Sequence, residues 1–258
     1  MTRLQSRRAV RTLACLTAVV LAVGLALVAS GALRDSVPAA AAPTTTTSTT
    51  TTTTAPQPLV PVSTPLATPT GVIPTFDAPD GNQIGTAGTW YGYPMTMPIV
   101  EQRPGWLRIM LPERPNGSTA WVHAADATTS STPFRIVVDL THTTLTVYSA
   151  GFPLFSAPVG IGRDVTPTAP GSFFVAVIET PGPAGYGPIV LDTSGHSEAI
   201  QSWEGSGDAI TAIHGALGAD AQIGTTGAKV SNGCIRMHEE DQQKLGVVTL
   251  GSPVDIVP

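Results

Sequence analysis

Charge is scarce in this chain: 12% of its 258 residues are Asp, Glu, Lys or Arg. That excludes disorder of the highly charged kind for most of its length. Cysteine is scarcer still. Cys15 lies in an N-terminal apolar run and Cys234 is alone in everything that follows, so no intramolecular disulfide can form beyond that run. Paired metal-ligand spacing is missing as well. His214, Cys234 and His238 could offer three ligands, but C-x3-H with one distant His lacks the pattern of a structural zinc site, and no fourth ligand is evident. There is no basic patch: without residues 1–42, 8 basic and 17 acidic residues remain, a net charge of −9 against −5 for the whole. Such a balance argues against nucleic acid as a partner.

What the chain does have is length for two small domains and many breakers, with 26 Gly and 24 Pro. Arg3, Arg7, Arg8 and Arg11 precede an uncharged apolar segment, Thr12 to Leu33. A helix of that length can cross a hydrocarbon core with its arginines held on the cytoplasmic side, while Ala39-Ala40-Ala41 offers a signal-peptide cleavage site. Residues 1–42 are therefore a signal peptide or a single transmembrane anchor. Either way the remainder is expected to be extracytoplasmic, secreted or membrane-anchored. Residues 43–70, nearly all Thr, Pro, Ser and Ala, read as a disordered stalk.

From Gly71 to about residue 130, turn dipeptides alternate with short β-type runs at Ile99–Gln102, Trp106–Met110 and Thr119–Val122, the spacing of a small all-β barrel. Core packing claims at least two of Trp90, Trp106 and Trp121, and a third could line a groove. Phe134–Leu140, Thr144–Tyr148, Leu154–Val159 and Ser172–Ile178 read as strands of a second, mostly β unit over 134–258. Glu239–Leu245, acidic at its start and with Lys244 near its end, is the one helical stretch. Thr180–Asp208 reads as a long loop of the kind that forms lids, with Tyr186 and Trp203 available to pack on a ligand and His196 a candidate to touch it. His142 is expected in a solvated turn and His238 facing outward near the helix start.

The chemistry concentrates between Ile213 and Met237. An unassisted thiol with a pKa near 8.5 is about 3% ionised at neutral pH, so a nucleophilic Cys234 needs a neighbouring base. His214, twenty positions earlier, is the candidate. The Gly-, Ala- and Thr-rich segment between them suits a chain that loops out and returns to bring the two side chains together. Gly233 would let backbone N–H groups approach a substrate carbonyl and hold an oxyanion. The bland alternative is a buried structural cysteine.

These residues carry a resemblance. His214-Gly215 followed by Ser231-Asn232-Gly233-Cys234-Ile235-Arg236-Met237 resembles the signature of the L,D-transpeptidase catalytic domain, the YkuD-type family of bacterial cell-wall enzymes. Gly160-Ile161-Gly162, Thr166-Pro167-Thr168, Pro170-Gly171-Ser172-Phe173, Ser194-Gly195-His196-Ser197-Glu198 and Gly251-Ser252-Pro253-Val254 extend it over 134–258, and Ser194–Glu198 is similar to actinobacterial members. Gly105–Arg108 and Ser118–Val122 resemble bacterial SH3-type domains. The fold implied is mainly β: a β-sandwich-like catalytic domain with a short helix, preceded by a small SH3-like barrel at 71–130. Two departures are notable: Asn232 stands where many members have His, and Ala216 replaces a frequent hydroxyl residue.

The resemblance implies a cysteine acyltransferase, with Cys234 as nucleophile, His214 as base and the Gly215 carbonyl holding the imidazole. Gly233, Asn232 and Ser231 would shape the oxyanion and donor sites; Arg236, Tyr186 and His196 would meet substrate, with Asp241 an alternative partner for Arg236. No metal and no cofactor is implied. The partners implied are donor and acceptor peptidoglycan stem peptides and carbapenem inhibitors, with 3-3 cross-links as product. Hydrolysis of the same thioester, giving an L,D-carboxypeptidase, and a silent wall-binding protein are the alternatives. Papain-like endopeptidases order Cys before His, the reverse of this chain.

Overall fold

Two sheets built from alternating and β-branched runs make up most of the computed structural model, which describes residues 56–225 and 227–258. The apolar segment 12–33, the Ala39–Ala41 motif and the stalk as far as residue 55 lie outside the described residues. Among the described residues no helix is long and apolar enough to cross a membrane.

The first sheet comes from β1 (Thr64–Pro69), β2 (Ile73–Phe76), β3 (Gln83–Ala87), β6 (Met97–Arg103), β7 (Trp106–Met110), β8 (Thr119–His123) and β9 (Ala127–Thr132). Its order is β3-β2-β8-β7-β6-β1-β9, and β4 (Thr89–Trp90) with β5 (Tyr93–Pro94) forms a separate hairpin above it. The three runs expected as strands here are β6, β7 and β8. The stalk ends earlier than expected: Leu66 and Ala67 on β1 are buried and pair with β6 and β9, so residues 64–69 belong to the sheet despite their composition. Their prolines fit because a strand tolerates Pro wherever its N–H is not needed by the ladder. Trp106 and Trp121 are buried in this unit, with the Arg103 guanidinium 4.9 Å over the Trp121 ring.

The second sheet holds β10 (Phe134–Asp139), β11 (Thr144–Ser149), β12 (Phe152–Pro158), β14 (Gly171–Glu179), β15 (Val190–His196), β16 (Ile210–Gly215), β18 (Ile235–Met237) and β19 (Pro253–Val257). They run in the order β12-β11-β10-β19-β14-β15-β16-β18, with β13 (Ile161–Gly162) and β17 (Lys229–Ser231) paired beside them. The only α-helix among the described residues, α1 (Glu239–Gln242), passes into a 3-10 turn at Gln243–Val247. His142 sits exposed in the β10–β11 turn, its backbone N–H donating to Asp139 Oδ1 at 2.8 Å.

The expectation of one continuous loop at Thr180–Asp208 is corrected by β15, which crosses its middle. Apart from Gly195, the glycines and prolines crowd into 181–188 and 205–207, leaving the apolar Val190-Leu191 free to enter the sheet with Ile189 just before them, all three buried. β14 is buried on both faces, since Phe173 and Val175 join the core of the second sheet while Phe174 and Ala176 join that of the first. The described residues thus fall within one compact unit.

Candidate active site

Sheet register puts the reacting groups on one face. β16 and β18 are parallel with Ile213 beside Ile235 and His214 beside Arg236. Cys234, immediately before β18, therefore stands level with Ala212. Side chains alternate along a strand, so Ala212, His214, Cys234 and Arg236 share a face while Ile213 and Ile235 point into the core. That face is the wall of a cleft of about 700 Å³.

His214 is 2% exposed, and its Nδ1 lies 2.8 Å from the Gly215 carbonyl. A carbonyl only accepts, so Nδ1 carries the proton and Nε2 keeps a lone pair, the tautomer a base needs. Burial drives its pKa down to about 4, with the Arg236 charge acting in the same direction and the Gly215 hydrogen bond opposing. The imidazole is neutral across the physiological range. Gly215 leaves little room for a side chain, since a Cβ there would meet the Tyr186 carbonyl oxygen at 3.0 Å, and that carbonyl accepts the Gly215 N–H at 2.8 Å. The Tyr186 ring lies 4.8 Å from the imidazole, centre to centre, and its carbonyl also takes a hydrogen bond from Gln242 Nε2 at 2.8 Å. Gln242, fully buried on α1, is thus a positioning residue that the sequence did not single out.

Cys234 is held by its backbone. Ser231 Oγ donates to the Cys234 carbonyl at 2.6 Å and receives the Gly233 N–H at 3.1 Å, while Thr168 Oγ1 donates to the Gly233 carbonyl at 2.8 Å. Gly233 has φ of +125°, a conformation that favours glycine. Since its N–H is committed to Ser231, it is not the free oxyanion donor that the sequence suggested. The thiol contacts the Ile210 carbonyl at 3.9 Å and makes no hydrogen bond to His214. Burial pushes its pKa up, helped by the negative charge of Asp192, while a backbone hydrogen bond with Ala212 and the Arg236 charge pull the other way. At rest this is an un-ionised thiol on the same cleft wall as a neutral base.

Other expectations divide. Arg236 lines the cleft, with Nη1 3.5 Å from the Ala216 carbonyl; the alternative pairing with Asp241 is not formed, because Asp241 is taken by Lys244 at 2.7 Å. Asn232 lines the cleft and accepts from Arg163. His196 is not brought to the cleft wall. It is 1% exposed, its Nδ1 lies 2.9 Å from Asp208, and Asn116 clasps its backbone N–H and carbonyl at 2.8 and 2.9 Å. His238 lies 3.3 Å from Asp220 rather than beside Cys234, and no trio of His, Cys, Asp or Glu placed to hold a metal occurs among the described residues.

Two features of the cleft escaped the sequence. Glu179 and Asp192 line it, hidden from view because Asp192 lay inside the supposed loop. The β4–β5 hairpin of the first unit supplies Tyr91 and Tyr93 to the same cleft, beside Trp90, the one tryptophan of the three left to line a groove; Tyr91 Oη donates to Asp208 at 3.1 Å and Tyr93 Oη to Glu179 at 3.5 Å.

Residues 133–256 match the family model described as the L,D-transpeptidase catalytic domain, YkuD. The YkuD protein of Bacillus licheniformis is 32% identical over 128 residues, covering 49% of this chain and 67% of that protein. Solved structures with similarity include an L,D-transpeptidase from Mycobacterium smegmatis, at 18% identity over 62% of this chain and 80% of that one with a TM-score of 0.39. Another is the LD transpeptidase LdtMt1 in complex with imipenem, at 19% identity over 74% and 81% with a TM-score of 0.38. The family model, whose matched residues include His214 and Cys234, and the Bacillus relative place the chain in the YkuD family of L,D-transpeptidases.

Proposed function

We propose that the chain is an extracytoplasmic L,D-transpeptidase that joins peptidoglycan stems through a thioester on Cys234. The observation that carries this is the common face of β16 and β18, where a neutral His214 with its Nδ1 on the Gly215 carbonyl and a lone thiol share one cleft wall. His214 Nε2 takes the thiol proton as Cys234 attacks the carbonyl of the donor stem's third residue, and gives it to the departing D-Ala amine. With Gly233 engaged by Ser231, the Cys234 N–H is the backbone group left to hold the oxyanion; one such donor is worth about 3–4 kcal/mol in the transition state. An amine of a second stem then attacks the thioester and a 3-3 cross-link forms. Water in place of the amine would give carboxypeptidase activity, and the acceptor side of the cleft decides between them.

The domain arrangement proposed with it is a residue 1–42 signal or anchor, a stalk, an SH3-like unit now starting at β1, and the catalytic unit over 134–258. Incubating the full chain with a carbapenem and with a tetrapeptide donor, then weighing the protein, tests the reading. Each should add one acyl group to wild type and none to Cys234→Ala, whose melting temperature should stay within about 2 °C of wild type. An unmodified thiol in folded wild type would mean a silent scaffold instead.

A further inference from the structure

We propose that Asp192 serves the acyl acceptor, binding its ammonium group across the Ala212 hollow from Cys234 and taking the proton that must leave before the nitrogen can attack. This rests on the transpeptidase reading above and assigns the acceptor side of its cleft.

The placement follows from register. Val177 on β14 pairs with Asp192 on β15, and Asp192 with Ala212 on β16. Ala212 in turn is level with Cys234. The four therefore form one row across the sheet, all on the cleft face. Asp192 and Cys234 stand two strand spacings apart, about 10 Å between Cα atoms, with only a methyl group between them. Into that gap fits an amine nitrogen and the thioester carbonyl that it attacks. The neighbouring row on the same face runs from Glu179 through Val190 and His214 to Arg236. Asp192 is thus faced by Glu179 from β14, His214 from β16, and Cys234 and Arg236 from β18.

No hydrogen bond to the Asp192 carboxylate occurs among the described residues, and the side chain is half-buried in the cleft wall. Acidic side chains in such surroundings are ordinarily paired. Its neighbour Glu179 has one, the Tyr93 hydroxyl contributed by the β4–β5 hairpin. Burial, reinforced by the Glu179 charge, raises the Asp192 pKa to about 7. A group so poised accepts a proton near neutrality far better than His214, whose pKa is about 4.

The proton count calls for a second base. An acceptor amine resembling a lysine side chain arrives as an ammonium with a pKa near 10, about three decades from its reactive form at neutral pH. It must lose two protons overall. One passes to the Asp192 carboxylate, giving the free amine and a neutral carboxyl. The amine lone pair then forms the C–N bond, the C–S bond breaks with its electrons on sulfur, and the second proton moves from nitrogen through His214 to the thiolate. Asp192 afterwards releases its proton to solvent. The same carboxylate would do nothing for a donor whose reacting group is a carbonyl.

The test separates acylation from aminolysis in the full chain. Single-turnover release of D-Ala from a tetrapeptide donor reports acylation; the ratio of cross-linked to hydrolysed product, with a second stem peptide as acceptor, reports the next step. Asp192→Asn should raise the acylation rate, because a negative charge that opposes thiolate formation is gone. The cross-link to hydrolysis ratio should fall about a hundredfold, with its rise through neutral pH flattened, and Asp192→Glu should restore part of it. An unchanged ratio overturns the proposal, as does a parallel fall of acylation and aminolysis, which would mark Asp192 as structural. Failure of wild type to form any acyl-enzyme overturns the transpeptidase reading and this one together; an acyl-enzyme with an Asp192-independent ratio overturns only this one.

Discussion

The two sheets treat their interiors differently. The first buries apolar side chains and a few hydroxyls such as Thr75 and Thr132, with its charges at or near the surface. The second encloses an imidazole, a thiol and a carboxyl whose pKa values are all displaced by that enclosure. One half is a conventional core that contributes a rim of aromatic residues to the cleft. The other sacrifices comfort at a handful of positions to hold reactive groups in their less hydrated forms, as sites of chemistry commonly do. The strand between them, β14, belongs to both, so the reactive half leans directly on the quiet one.

The sharpest way to break this contrast is at β14. Phe173 and Phe174 are both essentially buried but face opposite cores. Replacing either by Ala should cost about 3–5 kcal/mol, and Phe174→Ala should still melt in a single transition if the halves depend on one another. A separate, lower transition for Phe174→Ala in calorimetry would show instead two independent domains.

A smaller effect of opposite sign is expected at Asp192. In the fold its carboxyl keeps its proton up to about pH 7, whereas an unfolded chain loses it near 3.9. Between those values the native state binds more protons, so the residue's contribution to stability declines as pH rises and is fully unfavourable above about 7. Asp192→Asn should therefore melt roughly 4 °C or more above wild type at about pH 8, with the gain gone near pH 4. His214 has the reverse linkage, since its depressed pKa weakens the fold as pH falls from 6.5 toward 4, but both proteins carry it and it cancels. Absence of a pH-dependent difference would mean that Asp192 is solvated after all.

Least is expected of Tyr93→Phe, which removes a long hydrogen bond at an exposed site. The melting temperature should move by less than about 1 °C and the acceptor KM by no more than about threefold. A larger change in KM would give the hairpin a greater share in recognition than its geometry suggests.

The pattern of these sites shows what a sequence can disclose. Cys234 and His214 were legible because short-range order, glycine flanks and their spacing are properties of the chain itself, while the role of the Gly215 carbonyl came from the family resemblance. β10, β11, β12 and β14 were legible from alternation. Asp192 was not, because its importance comes from lying level with Cys234 across two intervening strand pairings, and pairing is a long-range property. Nor was β15, masked by the glycines and prolines on either side of it. His196 was placed with the substrate groups because it lay in the supposed loop, but Asn116, eighty residues away, and Asp208 hold it buried behind the cleft wall. The stalk boundary failed at Thr64 because composition registers flexibility and misses the two partner strands that clamp β1.

β19 is laid between β10 and β14, parallel to one and antiparallel to the other. Removing Pro253–Val257 would therefore part the β10–β12 ladder from β14 and the strands beyond it that build the cleft wall.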